Sequence, residues 1–148
     1  MAGFSGFSSH SGLTDVLQCF SRQSEHLLRL VDAIMCANGA LSRGEREAIA
    51  AFVSQQIATP YCVLFHTVFS EAFSGPVAAM NATVRPLLTY AEAILDPDAD
   101  HVGAAFEAAR NAGRSVEALY EVVDLCDLLS FINTIVRAAG MEPPEAIT

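Results

Sequence analysis

Residues 41–66 read LSRGEREAIAAFVSQQIATPYCVLFH, and two capped helices account for the run. Ser42 is a helix N-cap, with Glu45 three residues on as its capping-box partner, and the helix that follows buries Ile49, Phe52, Val53 and Ile57. Pro60 ends it, because the residue before a proline avoids the α region. Proline suits the first position of a new helix, so Thr59 reads as the next N-cap, Pro60 as N1, and a third helix runs from Tyr61 toward Phe73.

Outward from that run the pattern stays helical. Upstream, Leu13, Val16, Leu17, Phe20, Leu27 and Val31 recur at three-to-four spacing, predicting one amphipathic helix from Leu13 to about Cys36 that stops at Asn38-Gly39. Downstream, a helical stretch begins at Pro76, is expected to break near Arg85-Pro86, and resumes to Asp96-Pro97. A short helix follows over roughly 100–111. Ser115 then caps a long terminal helix closed by Gly140. No segment alternates with period two, so the predicted class is all-α, about six helices in a single domain over 1–148, with 1–12 and 141–148 as loose ends.

Composition narrows the partners. Charged residues are 17% of the 148-residue chain, against about 25% in typical soluble domains, while hydrophobic residues reach 52%. A chain of this size has trouble hiding so much apolar surface alone, so a homo-oligomer is expected. The net charge of −9, with eight scattered Lys and Arg, lacks the clustered basic face of a nucleic-acid binder. The opening MAGFSGFSSHSG lacks the charged and apolar regions of a signal peptide, and no apolar run is long enough for a membrane span, which predicts a cytoplasmic protein away from membranes. In that compartment the four cysteines are expected as thiols.

Chemistry concentrates in the central run. Cys62 falls at N3 of its helix, where free N–H groups and the helix dipole favour a thiolate. His66 lies one turn further along the same face, placed to exchange a proton with the sulfur. If the two helices pack antiparallel, the Glu47 carboxylate reaches His66 and orients it. Thr59 and Tyr61 flank the group. A zinc site from Cys62, His66 and Glu47 is disfavoured, since such sites usually offer paired cysteines or histidines. Cys19, Cys36 and Cys126 fall on or beside apolar stripes and read as buried small hydrophobes. His10, His26 and His101 lack convergent partners, and no phosphate loop or nucleophile elbow is present.

Residues 41–66 also resemble the alkylhydroperoxidase D and carboxymuconolactone decarboxylase superfamily, which carries a glutamate, then Cys-x-x-Cys, then x-x-x-His. The matching positions are Glu47, Thr59, Cys62 and His66, with Thr59 in place of the first cysteine. Residues 111–144, including Asn133, are similar to the same family's final helix. The resemblance implies an alkylhydroperoxidase D-like bundle without a cofactor, commonly a trimer or hexamer. It further implies that Cys62 attacks peroxide while Glu47 and His66 relay protons. Because Thr59 cannot resolve the product as a disulfide, three readings stand. Cys62 serves a one-cysteine, antioxidant peroxidase or redox sensor that uses a small hydroperoxide and an external thiol reductant. Alternatively, His66 and Glu47 act as acid and base on an apolar carboxylate, as in the decarboxylase branch. In the third reading the old site has decayed and the fold serves binding or structure. Whether Cys36 or Cys126 substitutes for the missing thiol depends on Cα atoms coming within about 7 Å.

Overall fold

A computed structural model describes residues 12–19, 22–74 and 77–145. Among them the chain forms seven α-helices and no strand: α1 (Leu13–Gln18), α2 (Ser24–Met35), α3 (Arg43–Gln56), α4 (Pro60–Ser74), α5 (Val77–Leu95), α6 (Val102–Asn111) and α7 (Val116–Ala139). The all-α expectation holds.

The ends lie where the caps put them. The Ser42 hydroxyl accepts from Glu45 N–H at 3.2 Å, and the Glu45 carboxylate accepts from Ser42 N–H at 2.8 Å. Ser115 caps α7 by accepting from Ala118 N–H at 3.1 Å, and Gly140 closes it in the left-handed region at φ 69°. These reciprocal bonds satisfy donors and acceptors that a bare helix end leaves unpaired.

Two expectations are corrected. The single helix over 13–36 is two, α1 and α2, and α2 starts after Gln23 without a side-chain cap bond. That split raises the number from about six to seven. The expected break at Arg85-Pro86 is absent, since α5 runs through Pro86. Proline there forfeits one helical hydrogen bond, to the carbonyl four residues back. The loss is local, whereas Val84, Leu87 and Ala91 on either side are buried in the core and hold the helix through it.

α7 is the centre of the bundle. Leu119, Val122, Leu125, Leu129 and Val136 are almost wholly buried along it, and α1, α2, α3, α5 and α6 all pack on it. Of the ends expected to be loose, Gly12 donates its N–H to the Asp15 carboxylate at 2.9 Å and Met141 packs on the core, while 1–11 and 146–148 lie outside the described residues.

α4 stands apart from this centre. It packs chiefly on α3 and only lightly on α5. The two helices are antiparallel, because Gly44 at the start of α3 meets Ser70 and Ser74 near the end of α4 while Glu47 meets His66 further in. The crossing is close: Ser70 Oγ donates to the Gly44 carbonyl at 3.2 Å, and a Cβ at position 44 would overlap the Ser74 side chain. Glycine is required there because only a bare Cα admits the neighbouring helix. The reversal between α3 and α4 places Ala58 in the left-handed region at φ 55°, a strained conformation for a residue with a Cβ. The far side of α4 exposes Leu64, Phe65, Val68, Phe69 and Phe73, so part of the apolar excess of the composition lies on this helix. No described helix is long and apolar enough to cross a membrane.

Candidate active site

The closeness of α3 and α4 brings Glu47 and His66 together. His66 Nδ1 lies 2.7 Å from Glu47 Oε2, and Glu47 is 5% exposed. A carboxylate only accepts, so in this contact Nδ1–H donates to Glu47 Oε2, and Nε2 is the ring nitrogen that Glu47 does not engage. Burial removes competing water from this bond and so fixes the ring plane.

Cys62 sits on the same face of α4, one turn nearer its start, and is 3% exposed. No hydrogen bond joins it to His66. Its environment corrects the expectation of a resting thiolate. Burial pushes the thiol from an ordinary value near 9 up to about 11, outweighing the favourable helix terminus. At neutral pH the sulfur is therefore protonated almost completely. Iodoacetamide labelling read by peptide mass spectrometry should modify exposed Cys19 and Cys36 first near neutrality, with Cys62 following only as pH climbs from 9 toward 11. Rapid labelling of Cys62 at pH 7 would contradict this burial.

The other cysteines divide. Cys126 is buried, its thiol pushed up to about 12 by burial and by the Asp127 charge, as a core position should be. Cys19 and Cys36 are exposed, contrary to expectation, because each lies at a helix C-cap where the apolar stripe has run out. All four thiols are free. His26 and His101 are exposed, and His10 lies outside the described residues.

Thr59 and Tyr61 behave differently from each other. Tyr61 packs half-buried on the core, its ring centroid 4.8 Å from that of Phe65. Thr59 holds the N-cap position with its backbone, its carbonyl accepting from Val63 N–H at 3.1 Å. Its hydroxyl, however, is buried and has no hydrogen-bond partner, so the side-chain cap expected of it is not made. Asn133 of α7 reaches the back of α3, its amide donating to Ser54 Oγ at 3.1 Å and to the Leu129 carbonyl at 2.6 Å.

Sequence reasoning missed the clamp beside the site. Arg46, next to Glu47, is 4% exposed and bonds the Glu121 carboxylate of α7 at 3.0 Å and the Ala37 carbonyl. Glu121 also accepts from Ala40 N–H at 2.6 Å and Leu41 N–H at 3.1 Å. The available signal was the charged run Glu45-Arg46-Glu47, whose three consecutive side chains spread over about 200° of the helix, so that they cannot all lie on one solvent-facing side. Among the described residues no cluster of His, Cys, Asp or Glu could hold a metal ion.

This bundle matches solved structures. One is the alkylhydroperoxidase AhpD core of an uncharacterized peroxidase-related protein from Ralstonia eutropha JMP134, at TM-score 0.77 and 23% identity over 87% of this chain and 74% of that one. Another is an uncharacterized peroxidase-related protein from Silicibacter sp. TM1040, at TM-score 0.76 and 20% identity over 88% of this chain and 76% of that one. No family model matches the chain, and no curated protein matches it by sequence. The chain therefore has the helical fold of the alkylhydroperoxidase core.

Proposed function

We propose that the chain belongs to the alkylhydroperoxidase D-like superfamily and acts as a one-cysteine thiol peroxidase or peroxide sensor, with Cys62 as nucleophile and Glu47–His66 as its proton relay. The observation that carries this reading is the partly buried 2.7 Å contact between His66 and Glu47 on the face of α4 that also bears Cys62. A thiol protonated at rest needs a base at the moment of attack, and an imidazole oriented by a carboxylate is such a base. Its sulfur attacks the outer oxygen of a hydroperoxide, the O–O bond breaks, and the thiol proton passes through His66 to the departing alkoxide. The products are Cys62 sulfenic acid and an alcohol. An external thiol then condenses with the sulfenic acid, releasing water, and a second thiol releases the reduced cysteine as the external disulfide forms. Thr59 cannot take the place of that external thiol.

Treating the protein with cumene hydroperoxide in the presence of dimedone, followed by peptide mass spectrometry, should place the sulfenic-acid adduct on Cys62. An unmodified Cys62 after prolonged exposure would defeat the reading. The high resting value of Cys62 favours a second one, in which Glu47 and His66 perform acid–base chemistry without the sulfur. That reading would leave activity intact in Cys62→Ser.

A further inference from the structure

Thr59, Cys62, His66 and Ser70 form the inner seam of α4. Their three-to-four spacing puts them on one side of the helix, and Thr59, Cys62 and Ser70 are 2%, 3% and 1% exposed, whereas Leu64, Phe65, Val68 and Phe69 lie outward. Along this seam Ser70 donates to the Gly44 carbonyl and His66 meets Glu47. Thr59 is held by its backbone alone. Its N–H donates to the Ser54 carbonyl at 3.0 Å and its carbonyl accepts from Val63 N–H at 3.1 Å. Its hydroxyl is buried and has no hydrogen-bond partner. Cys62 therefore has His66 one turn ahead of it on the seam and an unpaired hydroxyl one turn behind.

Burying a hydroxyl unpaired costs stability, so the resting fold does not explain it. The Cys62 sulfur does. A thiol is a weak acceptor and leaves such a donor unsatisfied, whereas an ionised acceptor makes a strong, charge-assisted bond. Thr59 at the N-cap and Cys62 at N3 are placed to face each other, as the two side chains of a capping box do across the first turn. Cβ atoms three residues apart on a helix lie about 5–6 Å from one another, which leaves oxygen and sulfur within hydrogen-bond reach when both side chains turn inward. The helix start adds partial positive charge at the same place.

We propose that the Thr59 hydroxyl donates a hydrogen bond to the Cys62 sulfur once its proton has left, and so stabilises the attacking thiolate. His66 takes the proton from one side of the sulfur, and Thr59 supports the negative charge from the other. The inference rests on Cys62 being the nucleophile of the proposed peroxidase, yet the thiolate can be titrated without any peroxide.

The Cβ chemical shift of Cys62, followed against pH by NMR in the full chain, reads ionisation at this one residue. Thr59→Val keeps the shape of the side chain and removes the hydroxyl. Its titration should be displaced upward by about one to two pH units, the worth of one hydrogen bond to a charged group. Iodoacetamide labelling of Cys62 at a fixed pH below both midpoints should slow about 10- to 100-fold for the same reason. Thr59→Ser restores the hydroxyl and should restore both values. The Tm of Thr59→Val should stay level or rise, since an unpaired buried hydroxyl has gone, and this separates the effect from damage to the fold. An unchanged titration in Thr59→Val, or a displacement in Thr59→Ser as large as in Thr59→Val, would overturn the proposal. A titration that depends on the Thr59 hydroxyl, in a protein whose Cys62 resists cumene hydroperoxide, would uphold it while defeating the peroxidase reading.

Discussion

Replacing His66 with Asn should slow hydroperoxide reduction by about 10²–10⁴-fold at neutral pH, the usual worth of one positioned acid–base group. Cys62 is held near 11, so at pH 7 the thiolate is too scarce to sustain turnover, and the proton must leave during attack. In the proposed mechanism His66 Nε2 serves as the base, because Glu47 occupies Nδ1 at 2.7 Å. Glu47→Gln should give a smaller loss, as an amide still holds the ring but can also donate to it and select the wrong tautomer. The pH profile separates this role from a structural one. Without His66, only pre-formed thiolate reacts, so the rate should climb about tenfold per pH unit from neutrality and level off near 11, converging on the wild type. A deficit that stays constant across that range would mean that His66 merely supports the fold.

Most of the fold was legible because its boundaries are written in local chemistry. Ser42 with Glu45, Pro60, Ser115 and Gly140 each act within one turn of themselves, and each marks an observed helix end. Pro86 misled for the complementary reason. Its local penalty is real, but Val84, Leu87 and Ala91 bury around it, and tertiary packing outweighs a single lost bond. The gap between α1 and α2 carries no glycine or proline, so nothing in the apolar spacing announced it.

The candidate site divides along the same line. The Glu47–His66 contact followed from two adjacent helix boundaries with a short reversal between them, which leaves antiparallel packing as the natural arrangement. The ionisation of Cys62 did not follow. Its position at a helix start argues for a thiolate, whereas the core around it argues more strongly against one, and burial is a property of the assembled bundle. The silent hydroxyl of Thr59 is likewise visible only once its surroundings are in place.

Glu121→Ala should be the most destabilising single change outside the apolar core, costing about 3–5 kcal/mol, because it strands a buried charge. Arg46 is 4% exposed, and losing the carboxylate leaves only the Ala37 carbonyl to compensate its guanidinium. Ala40 and Leu41 N–H lose their acceptor at the same time. Glu121 itself is partly solvated, its side chain 24% exposed, which places the effect toward the lower end. Thermal unfolding should show a Tm lower by roughly 6–20 °C. Acid titration supplies an independent check. Burial alone would raise the Glu121 carboxyl, but Ala40 N–H, Leu41 N–H and Arg46 together hold it below the usual carboxylate value. The ionised form is thus bound more tightly in the folded state. Its contribution is complete above that usual value and disappears as pH falls through the folded one, and Glu121→Ala should lack this part of the acid dependence. Arg46→Met combined with Glu121→Leu should recover much of the loss, since removing both charges leaves neither stranded. Recovery of stability without recovery of peroxide chemistry would show that the clamp serves the site as well, because Arg46 adjoins Glu47 and fixes the register in which α3 offers it to His66. A Tm within 2 °C of wild type in Glu121→Ala would mean that solvent, rather than Glu121, compensates Arg46.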